Sequence, residues 1–113
     1  MARLTLSALT ASLLLATTAH AVETGCTAPT TPTLPASITS QSQAESLEAG
    51  TVSYLESVSS YQQCLVDWAN DNESSLTEAD RTELRSLYDA QTNASKTYSE
   101  EWNTKLLGFL NSQ

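Results

Sequence analysis

Apolar and semi-polar residues recur at alternating spacings of three and four between positions 44 and 68. This spacing places them along one face of an α-helix. The stripe consists of Ala44, Leu47, Thr51, Tyr54, Val58, Tyr61, Leu65 and Trp68. The pattern predicts an amphipathic helix over about residues 40–70, with Gly50 weakening it by about 1 kcal/mol relative to alanine.

A second stripe with the same spacing follows in the last third of the chain. Its members are Leu84, Leu87 or Tyr88, Gln91, Ala94 or Ser95, Tyr98, Trp102, Leu106 and Phe109. No glycine or proline interrupts residues 77–107, so a second helix is predicted over about residues 77–110. The polar segment between the stripes has no periodicity and predicts a turn. Ser75 and Glu78 fit a capping box for the second helix, with Thr77 as the alternative N-cap.

Two helices of similar length joined by a short turn are expected to pack antiparallel. The predicted neighbours across the seam are Leu65 with Leu84, Tyr61 with Leu87, Tyr54 with Ala94, and Leu47 with Trp102. Thr51 and Gln91 make the middle of this seam polar. Because two helices alone seldom bury enough apolar surface, another segment is expected to cover the seam.

The first 21 residues predict a secretory signal peptide. Arg3 precedes an Ala/Leu-rich run, and Ala19-His20-Ala21 fits the small-x-small cleavage pattern. The run is shorter than the roughly 20 apolar residues that a membrane span needs. We therefore expect an exported protein that begins at Val22, without a membrane span, in the periplasm or outside the cell.

Two cysteines, Cys26 and Cys64, remain in the exported chain. An even pair in an oxidising compartment predicts a disulfide. A lipid anchor on Cys26 is the alternative, since Gly25 is a suitable preceding residue, but the apolar run ends near Ala16, too far upstream.

Prolines 29, 32 and 35 repeat every three residues, which is the period of a polyproline II helix. Ser40 and Cys64 are about 36 Å apart along a helix, and the extended segment from Cys26 to Ser40 reaches about 43 Å. A disulfide would therefore hold residues 22–39, called the strap here, extended along the first helix. This register puts Pro29 near Val58 and Tyr61, Pro32 near Val52 and Leu55, and Leu34–Pro35 near Leu47. A mobile linker, or a ligand for an aromatic groove, is the alternative.

These elements define the expected fold: an all-α antiparallel two-helix hairpin over residues 40–113, with a proline-rich extended strap tied to the first helix by a disulfide. The residues that carry a resemblance are Cys26, Pro29, Pro32, Pro35, Tyr54, Tyr61, Cys64, Leu65, Trp102, Asn103, Leu106 and Phe109. Their C-x-x-P-x-x-P-x-x-P and Y-x-x-C-L motifs resemble a group of small exported proteobacterial proteins. In that group an aromatic-Asn pair, usually Phe-Asn, stands where this chain has Trp102-Asn103. The resemblance implies an exported disulfide-linked helical protein and implies no activity.

The amino-acid composition excludes most classes of catalytic site. His20 is the single histidine of the 113 residues and leaves with the signal peptide. Ser-His or Cys-His catalysis and histidine-ligated metal sites are therefore excluded, and the scattered glycines form no phosphate loop. Carboxylate pairs such as Glu45/Glu48 and Glu100/Glu101 are more simply explained as solvated helix faces. We expect no enzyme, no catalytic residue, no cofactor and no small-molecule ligand.

Residues 67–78 have a partial match to an EF-hand calcium loop. Asp67, Asp71, Ser75 and Glu78 occupy ligand positions, but Ala69 offers no ligand oxygen and Asn72 replaces the glycine of the sharp turn. Two failures at defining positions indicate a chance match, so no metal site is predicted.

The charge is strongly negative and unevenly distributed. The chain has 13 acidic and five basic residues and a net charge of -8, and the loss of Arg3 on export makes that charge more negative still. The four remaining cations, Arg81, Arg85, Lys96 and Lys105, all lie in the second helix. Nucleic acid and anionic membranes are therefore poor partners.

The densest apolar segment of the exported chain is its C-terminal patch, formed by Leu106, Leu107, Phe109 and Leu110. Leu106 and Phe109 continue the seam, while Leu107 and Leu110 project to one side. Either Leu34 and Ile38 of the strap cover that side, which we expect, or a protein partner or second copy does. The expected function is a non-catalytic binding or structural module. The alternatives are an inhibitor or chaperone-like binder that uses this patch, or a carboxylate-based enzyme.

Overall fold

The computed structural model describes residues 22–113, and the predicted signal peptide lies outside them. The described chain contains helix α1 (Gln41–Asp71), a single 3-10 turn (Glu73–Ser75) and helix α2 (Glu78–Asn111). The two helices pack against each other as an antiparallel hairpin, and the strap runs beside them without regular secondary structure. The predicted fold class is confirmed, and each helix boundary lies one residue beyond its expected position.

Helix α1 begins and ends at side-chain caps. Ser40 has an extended backbone, and its hydroxyl accepts a hydrogen bond from the Gln43 backbone N–H at 3.1 Å. At the other end, the backbone N–H and the side-chain amide of Asn72 both donate to the Trp68 carbonyl, at 3.0 and 2.8 Å. These contacts satisfy backbone groups that have no partner within the helix.

The capping box of α2 is formed by Thr77 and Asp80, and the first-named alternative, Ser75 with Glu78, is wrong. The Thr77 hydroxyl accepts from the Asp80 N–H, and the Asp80 carboxylate accepts from the Thr77 N–H, both at 3.0 Å. Ser75 instead closes the 3-10 turn, where its hydroxyl donates to the Asn72 carbonyl at 3.1 Å. An N-cap needs an extended backbone, and Thr77 supplies it with φ −85° and ψ 170°.

The hydrophobic core consists of two clusters. Near the turn, Tyr61, Leu65 and Leu84 are buried together, with Leu87 packed against them, as the predicted register requires. Towards the chain ends, Leu47 packs against a cluster that contains Trp102, again as expected. Tyr54 meets Tyr98 edge to face, with ring centroids 4.9 Å apart, one helical turn beyond its expected neighbour Ala94.

Polar groups occupy the middle of the seam. The hydroxyls of Thr51 and Tyr98 are buried and hydrogen-bonded at 2.9 Å. The side-chain oxygen of Gln91 is also buried but has no hydrogen-bond partner within residues 22–113. Because an unsatisfied buried polar atom costs about 1–3 kcal/mol, the middle of the seam contributes little stability of its own.

The strap is packed, which excludes the mobile-linker alternative for this structure. Leu34 and Ile38 are buried in the same cluster as Trp102 and Phe109. Hydrogen bonds fix the strap along its length: the Val22 N–H donates to Glu83 at 3.0 Å, Thr31 bonds the Tyr54 hydroxyl at 3.0 Å, and Lys105 donates to the Ala36 carbonyl at 2.9 Å.

The strap lies over the groove between the helices, and its predicted position above Val52 and Leu55 is wrong. Those two side chains are exposed by 50% and 37%. Pro32 instead borders a depression that is lined mainly by α2 residues, including Ala94 and Tyr98. The register along α1 follows the expected scale, since Thr31 reaches Tyr54. The apolar groove, which buries Leu34 and Ile38 against both helices, decides on which side the strap lies.

A disulfide joins the strap to α1 near the turn end of the hairpin. Cys26 and Cys64 are bonded, with their Cα atoms 5.9 Å apart. Gly25, with φ of 76°, adopts the left-handed conformation that glycine tolerates, immediately before the bonded cysteine. The predicted pair is thus confirmed, and the Cys26 sulfur is not available for a lipid anchor.

We predict that the double variant Cys26→Ser plus Cys64→Ser loses about 4 kcal/mol of unfolding free energy, because the bond closes a loop of 38 residues. Urea unfolding of the exported protein measures the change. Thiol titration of the denatured wild-type protein should detect no free cysteine. A loss below about 1 kcal/mol, or two titratable thiols, would contradict the role given to this bond.

We also predict that Thr77→Ala lowers the unfolding free energy by about 1 kcal/mol, because it removes the N-cap of α2. Ser75→Ala is the matched control, since it deletes a nearby hydroxyl outside the capping box, and should change stability by less than about 0.5 kcal/mol. Equal losses in the two variants would show that Thr77 is not the cap on which α2 depends.

Candidate interaction surface

The strap covers one face of the hairpin, and a simple positional rule identifies the other. Adjacent helical residues point about 100° apart, so the neighbours of a buried residue lie on its two flanks. Cys64, just before the buried Leu65, is bonded to the strap. Gly108, just before the buried Phe109, lines a depression beside strap residues 36–38. Residues that directly follow core positions therefore point to the opposite side, called the open face here.

Large apolar side chains are concentrated on the open face and its outer edge. The exposed large hydrophobic residues of the described chain are Val52, Leu55, Val66, Tyr88, Leu107 and Leu110. All six directly follow a stripe position; Leu107 lies furthest round α2, at the outer edge, because Leu106 before it is only partly buried. Sequence reasoning assigned Val52 and Leu55 to strap contacts, gave Tyr88 as the alternative to Leu87 in the stripe, and did not single out Val66. Their position directly after core residues was the signal that could have found them.

The turn end of the open face contains a shallow apolar depression. Its volume is about 200 Å³, and its lining consists of Leu65, Val66, Ala69, Leu84, Arg85 and Tyr88. No strap residue contributes to it. One turn further from the loop, the Gln62 amide bridges the two helices by donating to the Tyr88 carbonyl at 3.0 Å and the Thr92 hydroxyl at 2.8 Å. The helices thus form a continuous surface on this side.

The C-terminal patch is divided between the core and the surface. Phe109 is buried and Leu106 packs against the core, whereas Leu107 and Leu110 are exposed by 58% and 53%. The expectation that Leu34 and Ile38 of the strap cover Leu107 and Leu110 is therefore wrong. Those strap residues pack on the Phe109 side of α2, and the 100° step between residues turns Leu110 away from them.

Among the described residues, the structure forms neither a carboxylate catalytic site nor a metal-binding cluster. Glu45, Glu48, Glu100 and Glu101 are all exposed on helix surfaces, which is not the enclosed setting that carboxylate catalysis needs. Within residues 22–113, no group of three His, Cys, Asp or Glu side chains is placed to hold a metal ion.

The partial EF-hand match does not form a calcium loop. Its first five positions, residues 67–71, remain helical inside α1, and Asp67 accepts a hydrogen bond from Gln63 at 2.9 Å. An EF-hand loop leaves the helix and wraps its ligands around the ion. Helix α1 instead continues to Asp71. Asn72, which stands where an EF-hand has glycine, ends the helix by donating to the Trp68 carbonyl.

Charges are separated along the open face. Glu45 and Glu48 directly follow Ala44 and Leu47 and lie at the end where α1 begins, and α1 contains no basic residue. At the turn end, Arg85 lines the depression beside Val66, and Arg81 lies one helical turn closer to the loop. Within residues 22–113, the ion pair of Lys105 with Glu101, at 3.9 Å, involves none of these four residues. The open face therefore has two carboxylates at one end and the Arg85 guanidinium at the other, while Arg81 donates to the Glu73 carbonyl in the turn at 3.3 Å.

Comparison with known proteins gives no match to a family model, a curated protein or a solved structure. Neither helix of residues 22–113 is apolar enough over a sufficient length to cross a bilayer. Interpretation of the surface therefore depends on its own geometry and chemistry.

We predict that millimolar Ca²⁺ leaves the melting temperature unchanged. A calcium ion bound at 100 times its dissociation constant would add about 2.7 kcal/mol, which thermal unfolding of a chain this small would detect. A clear upward shift that Glu78→Gln abolishes would show that residues 67–78 bind calcium.

Proposed function

We propose that this protein is an exported, non-catalytic module that works by binding another protein surface through its open face. One observation carries the proposal: six large apolar side chains stay exposed on the side that the strap does not cover, or at its edge. These side chains lie as three pairs along the hairpin, Val52 with Leu55, Val66 with Tyr88, and Leu107 with Leu110. Exposed apolar patches are a feature of protein interaction sites.

The strap covers the apolar surface on only one side of the hairpin. The chain buries the apolar groove on one side of the hairpin with its own Leu34 and Ile38. The opposite side keeps its apolar residues although no segment among residues 22–113 covers them. A protein partner would remove this surface from water, and each 100 Å² of apolar area buried stabilises a complex by about 2–3 kcal/mol before the costs of association.

The proposal also includes export of the protein from the cytoplasm. The predicted signal peptide supports it, and so does the disulfide, which persists in oxidising compartments. The resemblance to small exported proteobacterial proteins agrees with this location. A binding role also suits a molecule whose carboxylates are exposed on helix surfaces.

We predict that Leu107→Ser plus Leu110→Ser disrupts association much more than it disrupts folding. Both side chains are more than half exposed, so each change should cost less than about 0.5 kcal/mol. Leu34→Ser is the matched control, because it makes the same change at a buried leucine and should cost about 2–5 kcal/mol. Urea unfolding measures all three proteins.

Association is measured in the producing cells with a photo-crosslinking amino acid at position 110, and at position 56 as an exposed control on the strap side. We expect a discrete adduct, with the same chain or another protein, from position 110 alone. In the double serine variant the crosslinking amino acid is placed at the exposed open-face position 66 instead. If that variant melts far lower while adducts from position 66 stay unchanged, the leucines are core residues. If position 110 gives no adduct, the binding proposal fails.

A further inference from the structure

We propose that the partner of the open face is a second copy of this chain, packed with its hairpin antiparallel to the first around a two-fold axis near Leu55. The result is a four-helix bundle with one strap on each outer side. This inference rests on the proposed binding function and specifies the partner.

The charge pattern of the open face is complementary to itself. A two-fold axis through the middle of the face, perpendicular to the helices, brings the acidic end of one copy, Glu45 and Glu48, towards the end of the other that contains Arg85. The same operation repeats the contact at the opposite end, since a two-fold interface uses one surface twice. A parallel arrangement would instead bring like charges together, which costs several kcal/mol.

The distances along the helices agree with this symmetry. At a rise of about 1.5 Å per residue, Glu45 lies about 15 Å from Leu55 towards the start of α1. Val66 lies about 16 Å from Leu55 in the other direction, and Arg85 lines the same depression as Val66. Rotation about an axis at Leu55, perpendicular to the helices, therefore brings Arg85 to the level of Glu45 of the second copy along the bundle, on the adjacent helix.

The apolar residues follow the same symmetry. The depression formed by Val66, Ala69 and Tyr88 at the turn end would receive Leu106 and Leu110 of the second copy at the other end. Leu55 and Val52, close to the axis, would pack against their own counterparts. Most of the exposed apolar side chains thus gain a partner, and Leu107 stays at the rim.

The area is adequate for a specific dimer. The face extends about 40 Å along the helices and about 20 Å across two helices, or about 800 Å² per copy. Stable protein interfaces bury about 800 Å² per partner. Two-helix hairpins that pair in this way form the bundle architecture in which each hairpin supplies half of a shared core.

The test is sedimentation equilibrium of the purified exported protein, with its disulfide intact, from about 1 to 500 µM. We expect a monomer–dimer equilibrium in the wild-type protein. Arg85→Glu alone and Glu45→Arg alone should each raise the dissociation constant by roughly tenfold or more, because each places two pairs of like charges in the dimer.

The combined variant, Arg85→Glu with Glu45→Arg, should restore dimerisation to near the wild-type level. Glu56→Arg makes the same charge change on α1 beside the strap, where it lines a depression with Gly25 and Cys26, and should leave the equilibrium unchanged. All substituted positions are exposed, so the variants are expected to fold, and circular dichroism checks this at the lowest concentration.

Three results would overturn the inference: a wild-type monomer up to 500 µM, a dimer that Glu56→Arg weakens as much as Glu45→Arg, or single variants that the combined variant does not rescue. A monomer whose position 110 still crosslinks to a different protein in cells would refute the self-pairing and leave the proposed binding function standing.

Discussion

The Cys26–Cys64 bond is the constraint on which the rest of the structure depends. It attaches the start of an extended segment near the turn end of α1, while α1 itself begins about 35 Å away at Gln41. The intervening residues have little slack, so they must run along the hairpin. Once they do, Leu34 and Ile38 reach the groove beside Trp102 and Phe109 and complete the core at the far end. One covalent bond thus positions apolar residues that lie well away from it.

This arrangement matters because the hairpin is weak by itself. Its seam contains a buried Thr51–Tyr98 hydrogen bond and a buried Gln91 oxygen without a partner among residues 22–113, where a tighter pair of helices would have apolar residues. The strap compensates on one face through burial and through hydrogen bonds to Glu83, Tyr54 and Lys105. Stability is therefore concentrated on the strap side.

The same asymmetry accounts for the proposed function. A segment tied to one flank of α1 cannot cover both sides of a two-helix layer. The opposite side retains Val66, Tyr88 and Leu110 in contact with water, with two carboxylates at one end and the Arg85 guanidinium at the other. A partner bound on this side would bury these apolar side chains, as the strap buries the apolar groove on the other side.

The sequence alone determined the helices, the turn, the disulfide and the register of the seam near the turn. Stripe periodicity, an even cysteine pair and proline spacing are local properties, and each requires no knowledge of distant contacts. The tertiary structure decided which flank of each helix the strap occupies. The choice between Ser75 and Thr77 as N-cap, and the fate of Leu107 and Leu110, also depended on the folded chain. A helical stripe shows which residues face the partner helix, but its two flanks are equivalent until a third segment packs against one of them. Here the position of Cys64, directly before Leu65, selects the flank, and Val66, directly after it, is left on the open face.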